Sequence, residues 1–339
     1  MFVKIRILRH AFVLAALLPF HALAQLDTCW QQHRATVHEW TCAGQSLSAR
    51  AQPYAFSIVV VESPKALMVI DSGATAAVGE SAAAAIRSKF GTKPVWILNS
   101  QAKAEHVLGN TAFKDAFAGT LRGDESFSDR LVAGQRTADQ MRLHCTSCIE
   151  RLSQITGSPT VSGTQFLVPD RILKRLSGHL GILQSDWVPW KYRLYQNLEA
   201  DETLVLRNQE LKLWWVASAV QNREVPDLYD GDITERIDFL ARLKTQMTSD
   251  DTVLTSFGAL GPDWIERNLA YFVRVHQAVL YGLEASIGEV EMIEQLSAQT
   301  DLFMNPVYVQ TDPEASAKSL ERHQLNVQRI YRQTQPFVF

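Results

Sequence analysis

The sequence has little of several features that mark common protein classes. It carries four cysteines in 339 residues, no basic stripe, and one long apolar run, which lies at the N-terminus. Lys and Arg number 33 against 36 Asp and Glu, so the formal net charge is −3 and nucleic-acid binding is not expected. Hydrophobic residues make up 46% and charged residues 20%. This composition excludes a disordered, collagen-like or multi-span membrane protein and is typical of a globular fold.

Several catalytic motifs are absent as well. The sequence has no G-x-S-x-G elbow, no G-x-x-x-x-G-K-[ST] loop and no G-x-G-x-x-G, so serine, phosphate-cradle and dinucleotide mechanisms have no local support. After residue 24, no two histidines have the H-x-H or H-x-x-x-H spacing that commonly binds zinc.

The apolar run at the N-terminus has the organisation of a secretory signal peptide. Three basic residues precede an apolar stretch over 11–20, and residues 22–24 read Ala-Leu-Ala, an A-x-A cleavage site. We therefore predict removal of residues 1–24, leaving a periplasmic or secreted protein that begins at Gln25 and has no membrane anchor. An uncleaved anchor is the alternative, although the apolar stretch is short for one. Cleavage removes three basic residues and no acid, so the net charge falls from −3 to −6.

Export changes how the cysteines are interpreted. In an oxidising compartment Cys29, Cys42, Cys145 and Cys148 are expected in disulfides. Four cysteines allow three pairings; we favour Cys29–Cys42 and Cys145–Cys148 because each closes a short loop. A redox C-x-x-C, or half of a zinc site, is the alternative for the second pair.

Periodicity predicts two similar structural units. Each unit is a hairpin, a helix and a short strand: 56–71, 80–90 and 94–99 in the first, and 203–216, 232–247 and 252–255 in the second. Further helices are predicted at 137–155, 262–286, 289–296 and 313–332. The repeated unit favours an α/β architecture with two packed sheets and helices outside. No low-complexity linker interrupts the chain, which indicates one domain.

Two loop motifs lie at the ends of predicted strands. Residues 71–73 read Asp-Ser-Gly, and residues 100–110 read Ser-Gln-Ala-Lys-Ala-Glu-His-Val-Leu-Gly-Asn. In this order they resemble the Asp-Thr/Ser-Gly and Thr-His-x-His-x-Asp-His-x-x-Gly-Asn motifs of the metallo-β-lactamase superfamily. The resemblance extends over about residues 52–262.

One branch of that superfamily is the most similar. The exported quinoprotein relay system zinc metallohydrolases share the Cys-x-x-Cys-x-Glu-Arg-Leu segment at 145–152, the Gly-Thr at 163–164 and the Val-Pro-x-Leu-x-Asp-Gly segment at 225–231. The resemblance implies a four-layered αββα sandwich over 53–285. An irregular leader over 25–52 would precede it, and a helical extension over 286–339 would follow.

The resemblance also implies that the metal-binding positions have changed. The first two motif histidines fall on Gln101 and Lys103, the motif aspartate falls on Glu105, and only His106 is kept. Three later ligand positions fall near Leu198, with the register uncertain, and on Ser218 and Phe257. A hydrolytic zinc needs about three His, Cys or carboxylate ligands and an open position. Zinc is therefore possible but not expected, and no other cofactor is implied.

Each retained residue also has a structural interpretation. In the family, Asp71 orders the neighbouring loop, and His106 is as readily a capping or core histidine as a ligand. Gly109 and Asn110 are expected to serve a close backbone approach and a turn. Lys103 and Glu105 form either a solvated charge pair or a substitute for the metal charge. In the second case a remaining pocket should prefer small anions.

We therefore expect an exported protein that has lost its zinc site and acts as a pseudoenzyme or binding protein. Its ligand is a small molecule or a protein, and the resemblance implies a setting beside periplasmic quinoprotein dehydrogenases. One alternative is a hydrolase with single-metal chemistry at Glu105 and His106. Another is a thiol–disulfide protein that uses Cys145 and Cys148.

Overall fold

The computed structural model describes five stretches of the chain, and our statements about structure refer to these. They are residues 29–41, 57–156, 166–222, 225–299 and 313–337, with the side chains of 145–148, 151–156 and 313–316 left aside. The predicted signal peptide over 1–24 lies outside them, as do Cys42, Gly163 and Thr164.

Seven strands form the first sheet in sequence order. They are β1 (Trp30–Arg34), β2 (Val37–Trp40), β3 (Ile58–Glu62), β4 (Leu67–Ile70), β5 (Val95–Leu98), β6 (Leu131–Gly134) and β7 (Arg171–Leu173). Strands β1 to β4 pair antiparallel, and β4 to β7 pair parallel. The predicted hairpin over 56–71 is confirmed as β3 and β4, whose β-branched side chains suit a buried strand.

Six strands form the second sheet. They are β8 (Ser177–His179), β9 (Trp190–Gln196), β10 (Glu202–Asn208), β11 (Leu213–Trp215), β12 (Thr252–Thr255) and β13 (Gly258–Leu260), again in sequence order across the sheet. All neighbours pair antiparallel except β11 and β12. A parallel pair needs a crossover connection, which a helix supplies here as it does between β4 and β5.

Eight α-helices accompany the sheets in the described residues. They are α1 (Ala76–Phe90), α2 (Ala104–Val107), α3 (Asn110–Phe117), α4 (Gln135–Thr156), α5 (Ile233–Gln246), α6 (Asp263–Glu284), α7 (Glu289–Ala298) and α8 (Pro313–Thr334). Two crossover helices have side-chain caps at their N-termini: Thr75 accepts a hydrogen bond from the backbone of Val78 in α1, and Asp232 accepts from Thr234 and Glu235 in α5. No helix in these stretches is both long enough and apolar enough to cross a membrane.

Three large apolar clusters make up the layers of the fold. One lies between the inner faces of the two sheets, where Trp215 and Met68 are fully buried. A second packs α1 and α3 against the first sheet. The third packs the second sheet against α5, α6, α7 and α8. The architecture is therefore an α/β sandwich of two sheets with helices outside and additional C-terminal helices, as the sequence predicts.

The stretch over 25–52 differs from the expectation of an irregular leader. Its described part contains β1 and β2, a hairpin that extends the first sheet beyond β3. Val37 and Trp40 of β2 are buried in the sheet. Polar residues separate these apolar positions, so the strand pattern is weak in the sequence.

Candidate functional site

Asp71 orders the loop that follows β5. It lies just after β4 with a positive φ of 61°, and its carboxylate accepts hydrogen bonds from the backbone and hydroxyl of Ser100, each at 2.7 Å. A third contact, 2.6 Å long, joins Asp71 Oδ2 to Nδ1 of His106. Adjacent parallel strands end at the same edge of a sheet, so the two loops meet there.

His106 is engaged in this internal ion pair. It is 2% exposed, and its backbone carbonyl accepts hydrogen bonds from the backbone of Ser72 and the side chain of Asn99. Burial alone would lower the pKa of His106, but the charge and hydrogen bond of Asp71 outweigh burial and raise it. The Asp71 contact fixes the orientation of the imidazole ring through Nδ1 and so orders the loop that carries His106.

Gln101 and Lys103 bring unpaired polar atoms into the interior. Gln101 is fully buried, and neither atom of its amide has a hydrogen-bond partner among the described residues. Lys103 as a whole residue is half-buried, whereas its side-chain nitrogen is enclosed and makes no hydrogen bond among the described residues. That nitrogen lies 3.6 Å from the ring centroid of Tyr229, a close cation–π contact. A solvated Lys103–Glu105 charge pair is therefore wrong: no such ion pair occurs in the described part of the chain.

The chain near Leu198 brings a buried carboxylate to the site, that of Glu199. Leu198 is buried in the apolar core, and its carbonyl accepts a 3.0 Å hydrogen bond from Nε of Arg236. Glu199 is fully buried; its Oε1 accepts from the backbone of Ser218 at 3.1 Å, and its Oε2 has no partner in the described residues. The side chain of Leu198 therefore lies in the apolar core, and the carboxylate at this point of the chain is that of Glu199.

A network of buried charges surrounds Lys103. Burial lowers the pKa of the Lys103 ammonium, and the carboxylates of Glu199 and Glu105 offset part of that effect. Burial likewise raises the pKa of Tyr229, which stays a neutral phenol. Burial lowers the pKa of Arg236, opposed by Glu199 and Asp227. The side chains of Lys103 and Arg236 therefore lie among several carboxylates.

Ser218 and Phe257 lie on neighbouring loops of the second sheet. The hydroxyl of Ser218 contacts that of Ser256 at 3.4 Å, and the backbone of Phe257 donates to the hydroxyl of Thr255 at 3.0 Å. Phe257 is buried, with 9% of its surface exposed. A hydroxyl and a phenyl ring leave this side of the site without a strong metal ligand.

A small cavity opens beside Lys103. Its volume is about 130 Å³. Besides Lys103 and His144, its lining includes three carboxylates, those of Asp201, Glu202 and Asp230. This lining contradicts the expectation that the pocket prefers small anions, because the carboxylates outnumber the single ammonium.

The residues at this edge do not fit a zinc ion. Gln101 offers an amide and Lys103 an ammonium, so Glu105 and His106 are the only residues of the 101–106 segment whose side chains bind zinc well. Among the described residues, no group of three or more His, Cys, Asp or Glu side chains is arranged to hold a metal. Glu105 and His106 therefore lack the third donor that single-metal hydrolysis would need.

The cysteines add little to the site. Cys29 is disulfide-bonded, and because Cys42 lies outside the described residues the Cys29–Cys42 pairing stays a prediction. Cys145 and Cys148 lie within α4, but their side chains are not among those described. Thiol–disulfide chemistry at this pair likewise remains untested.

Glu199, Tyr229 and Arg236 complete the buried network, although no ligand motif singles them out. Tyr229 lies in the 225–231 segment that carries part of the family resemblance, which is the one signal that pointed toward it. Arg236 is fully buried on the otherwise apolar face of α5. A charged residue on such a face is the sequence signal for a buried ion network.

Comparison with known proteins supports the fold. No protein-family model matches the sequence, and no curated protein sequence matches it. Among solved structures, the chain is similar to a metallo-β-lactamase from Erythrobacter litoralis with β-mercaptoethanol in its active site. The TM-score is 0.54 at 15% identity, and the match covers 72% of this chain and 96% of that one. At this identity the likeness shows the metallo-β-lactamase fold alone.

Proposed function

We propose that this chain, built on the metallo-β-lactamase fold, is an exported pseudoenzyme that binds a ligand without catalysing hydrolysis. One observation carries the proposal: the Lys103 ammonium is enclosed at a metal-ligand position, where it lies on Tyr229 and among carboxylates. A dication at the same place would be repelled by the ammonium at close range. Lys103 is therefore an internal substitute for the metal charge.

The remaining contacts support the same role. The Asp71–His106 pair fixes the loop over 100–106 without a metal, and Ser218 donates its backbone N–H to Glu199. The edge of the sheets keeps its geometry because these hydrogen bonds replace metal coordination.

The proposal includes a cellular setting. The signal peptide over 1–24 supports export, and the segments at 145–152 and 225–231 support a place beside periplasmic quinoprotein dehydrogenases. N-terminal sequencing of the protein recovered from the periplasm or medium should begin at Gln25. Full-length protein in the membrane fraction would contradict export.

Size exclusion with a purified quinoprotein dehydrogenase tests the proposed association. Failure of the two proteins to associate would contradict a place beside these dehydrogenases.

Metal content tests the central claim. Purified protein from zinc-supplemented cells should hold well under one equivalent of zinc by elemental analysis. It should leave a chromogenic β-lactam, a thioester and a lactone intact. The paired variant Gln101→His with Lys103→His is the matched control: it removes the ammonium, restores two donors and should raise the zinc content.

The alternative makes a different prediction. If the protein is a hydrolase with atypical chemistry at Glu105 and His106, it should hold stoichiometric zinc. Both zinc and activity would then be lost in His106→Ala. That result would overturn the pseudoenzyme proposal.

A further inference from the structure

A second, larger cavity lies on the outer face of the second sheet, away from the Lys103 network. Its volume is about 300 Å³. Its lining includes His179, Lys191, Arg193, Tyr195, Arg207 and Trp214, and the end of α5 at Gln246 borders it. We call this cavity the outer groove.

The basic side chains of the outer groove are aligned by strand register. His179 on β8 pairs with Lys191 on β9, which pairs with Arg207 on β10, which pairs with Trp214 on β11. Directly paired residues of adjacent strands project to the same face of the sheet. Arg193 lies two residues along β9 from Lys191, diagonal to Arg207. The Cβ atom of Arg193 is therefore about 7 Å from that of Arg207.

This row carries uncompensated positive charge. Lys191 and Arg207 face each other across the strands, an arrangement that destabilises a sheet. Among the described residues that line the outer groove, none has a carboxylate. Neither Lys191, Arg193 nor Arg207 forms an ion pair with any carboxylate in the described stretches. The end of α5 contributes only about half a negative charge, too little to balance three cations.

Aromatic rings hold the two guanidinium groups in place. The guanidinium carbon of Arg193 lies 5.0 Å from the ring centroid of Tyr195, and that of Arg207 lies 4.5 Å from the ring of Trp214. Stacking fixes the plane of a guanidinium, so its N–H groups are pre-organised for a carboxylate or phosphate.

The outer groove also contains buried donors without partners. Trp214 is 6% exposed, and its indole N–H has no hydrogen-bond partner among the described residues. The same is true of Nε of Arg207. Both atoms are shielded from water, so neither presents a hydrogen to the open cavity.

We propose that the outer groove binds a small polyanion that carries at least two phosphate or carboxylate groups. One group binds the fork of Arg207 beside Trp214, and the other binds the fork of Arg193, with Lys191 between them as a point charge. The site does not depend on the proposed function, because its residues are separate from the Lys103 network. If the chain is a binding protein, as proposed above, small polyanions would be a class of ligand that it binds.

Titration calorimetry with two probes tests this site. Inorganic pyrophosphate supplies two phosphate groups and citrate supplies carboxylates; both are titrated at low ionic strength, where surface charges are least screened. At least one probe should bind, and the tighter probe identifies the preferred group. Arg193→Gln and Arg207→Gln should each weaken binding about tenfold, the value of one charged bidentate contact.

Matched variants separate this site from general charge effects. Arg87→Gln removes the same charge from an exposed position on α1 and should leave the affinity within about twofold, since long-range charge is screened. Lys103→Met should also leave it unchanged, even if the pseudoenzyme proposal fails. Arg193 is exposed, so its variant reports on the site even if Arg207→Gln destabilises the fold. Absence of binding by both probes, or equal weakening by Arg87→Gln, would overturn the proposal.

Discussion

At the scale of single residues, Lys103 combines a cost in stability with a role in the site. Its ammonium is enclosed without a hydrogen bond, and the ring of Tyr229 compensates for only part of its lost hydration. Natural proteins commonly retain such destabilising groups where they serve function.

Lys103→Met should therefore stabilise the protein. Burial lowers the pKa of Lys103 in the folded state, so the unfolded chain binds the proton of this lysine more tightly than the folded chain does. The resulting loss of folding stability is greatest below the pKa of the folded state. We expect the free energy of unfolding near neutral pH to rise by about 1–2 kcal/mol. The gain should shrink as the pH rises toward the ordinary lysine pKa. Urea unfolding across that range measures it.

Lys65→Met is the control, because Lys65 is an exposed residue of the turn between β3 and β4. It should leave the stability unchanged. A loss of stability in Lys103→Met would show that the ammonium is well solvated or paired, contrary to the enclosed geometry.

The contribution of the Asp71–His106 pair to the free energy of unfolding should have the opposite sign from that of Lys103. The pKa of His106 is raised in the folded protein, so its contribution is fully present below the unfolded pKa and is lost as the pH rises through the folded pKa. His106→Ala should cost about 3 kcal/mol in acid, because Asp71 loses its buried counter-charge. Unfolding measured from about pH 5 to about pH 9 should show this deficit shrinking.

His276→Ala is the comparison variant, because the pKa of His276 is shifted in the opposite direction from that of His106. Burial lowers the pKa of His276, so its removal should help the protein most in acid. A deficit in His106→Ala that stays constant with pH would contradict a charged His106.

At the scale of elements, two glycines set the distance between α1 and the loop before α3. A Cβ atom on Gly109 would lie 1.9 Å from the backbone oxygen of Ser72, and one on Gly79 would lie 2.6 Å from Cα of Gly109. The close backbone approach predicted for Gly109 is therefore confirmed. Backbone atoms cannot move aside as a flexible side chain can.

Gly109→Ala should lower the free energy of unfolding by about 3 kcal/mol, because the clash with Ser72 pushes the Asp71 loop away from the loop before α3. Gly119→Ala is the control, since a Cβ atom there meets nothing within 4 Å. Chemical denaturation of both variants measures the difference. Equal stability of the two would show that the loops are not in close contact.

Elements with a strong periodic pattern could be predicted from the sequence, and the hairpin β1–β2 could not. The strands β3 and β4 and the crossover helices follow β-branched runs or helical spacing, which are local signals. All four residues of β2 are buried, His38 and Glu39 among them, and β1 has no fully buried residue, so neither strand shows an apolar alternation. The hairpin becomes intelligible only when β3 is placed beside β2.

The site shows the same limit. The expectation that Gln101 and Lys103 stand at metal-ligand positions comes from the sequence alone, because the motif over 100–110 supplies the register. The presence of Glu199 and Tyr229 beside Lys103 results from the approach of distant parts of the chain in the folded protein. Neither composition nor spacing contains that information, which arises from tertiary packing.

At the scale of the whole molecule, the last helix holds the wall of the site. Asn326 on α8 donates to the carbonyl of Pro226 at 2.8 Å and accepts from the backbone of Leu228 at 2.9 Å. It also donates to the hydroxyl of Tyr271 at 3.0 Å. These bonds position the segment that places Tyr229 over Lys103.

Asn326→Leu should cost about 2–3 kcal/mol, because it leaves buried backbone groups of Pro226 and Leu228 unsatisfied. The neighbouring Gln324→Leu, at a partly exposed position of α8, should have little effect. Thermal unfolding measures the stability of both. A small loss in Asn326→Leu would mean that the wall is held by apolar packing.

The bonds of Asn326 span about a hundred positions of the chain, which has a consequence for the order of folding. Contacts between residues far apart in sequence form late, since the closure of a long loop precedes any gain from them. The enclosure of Lys103 therefore belongs to the late contacts of folding, because it requires α8 to hold the segment that carries Tyr229.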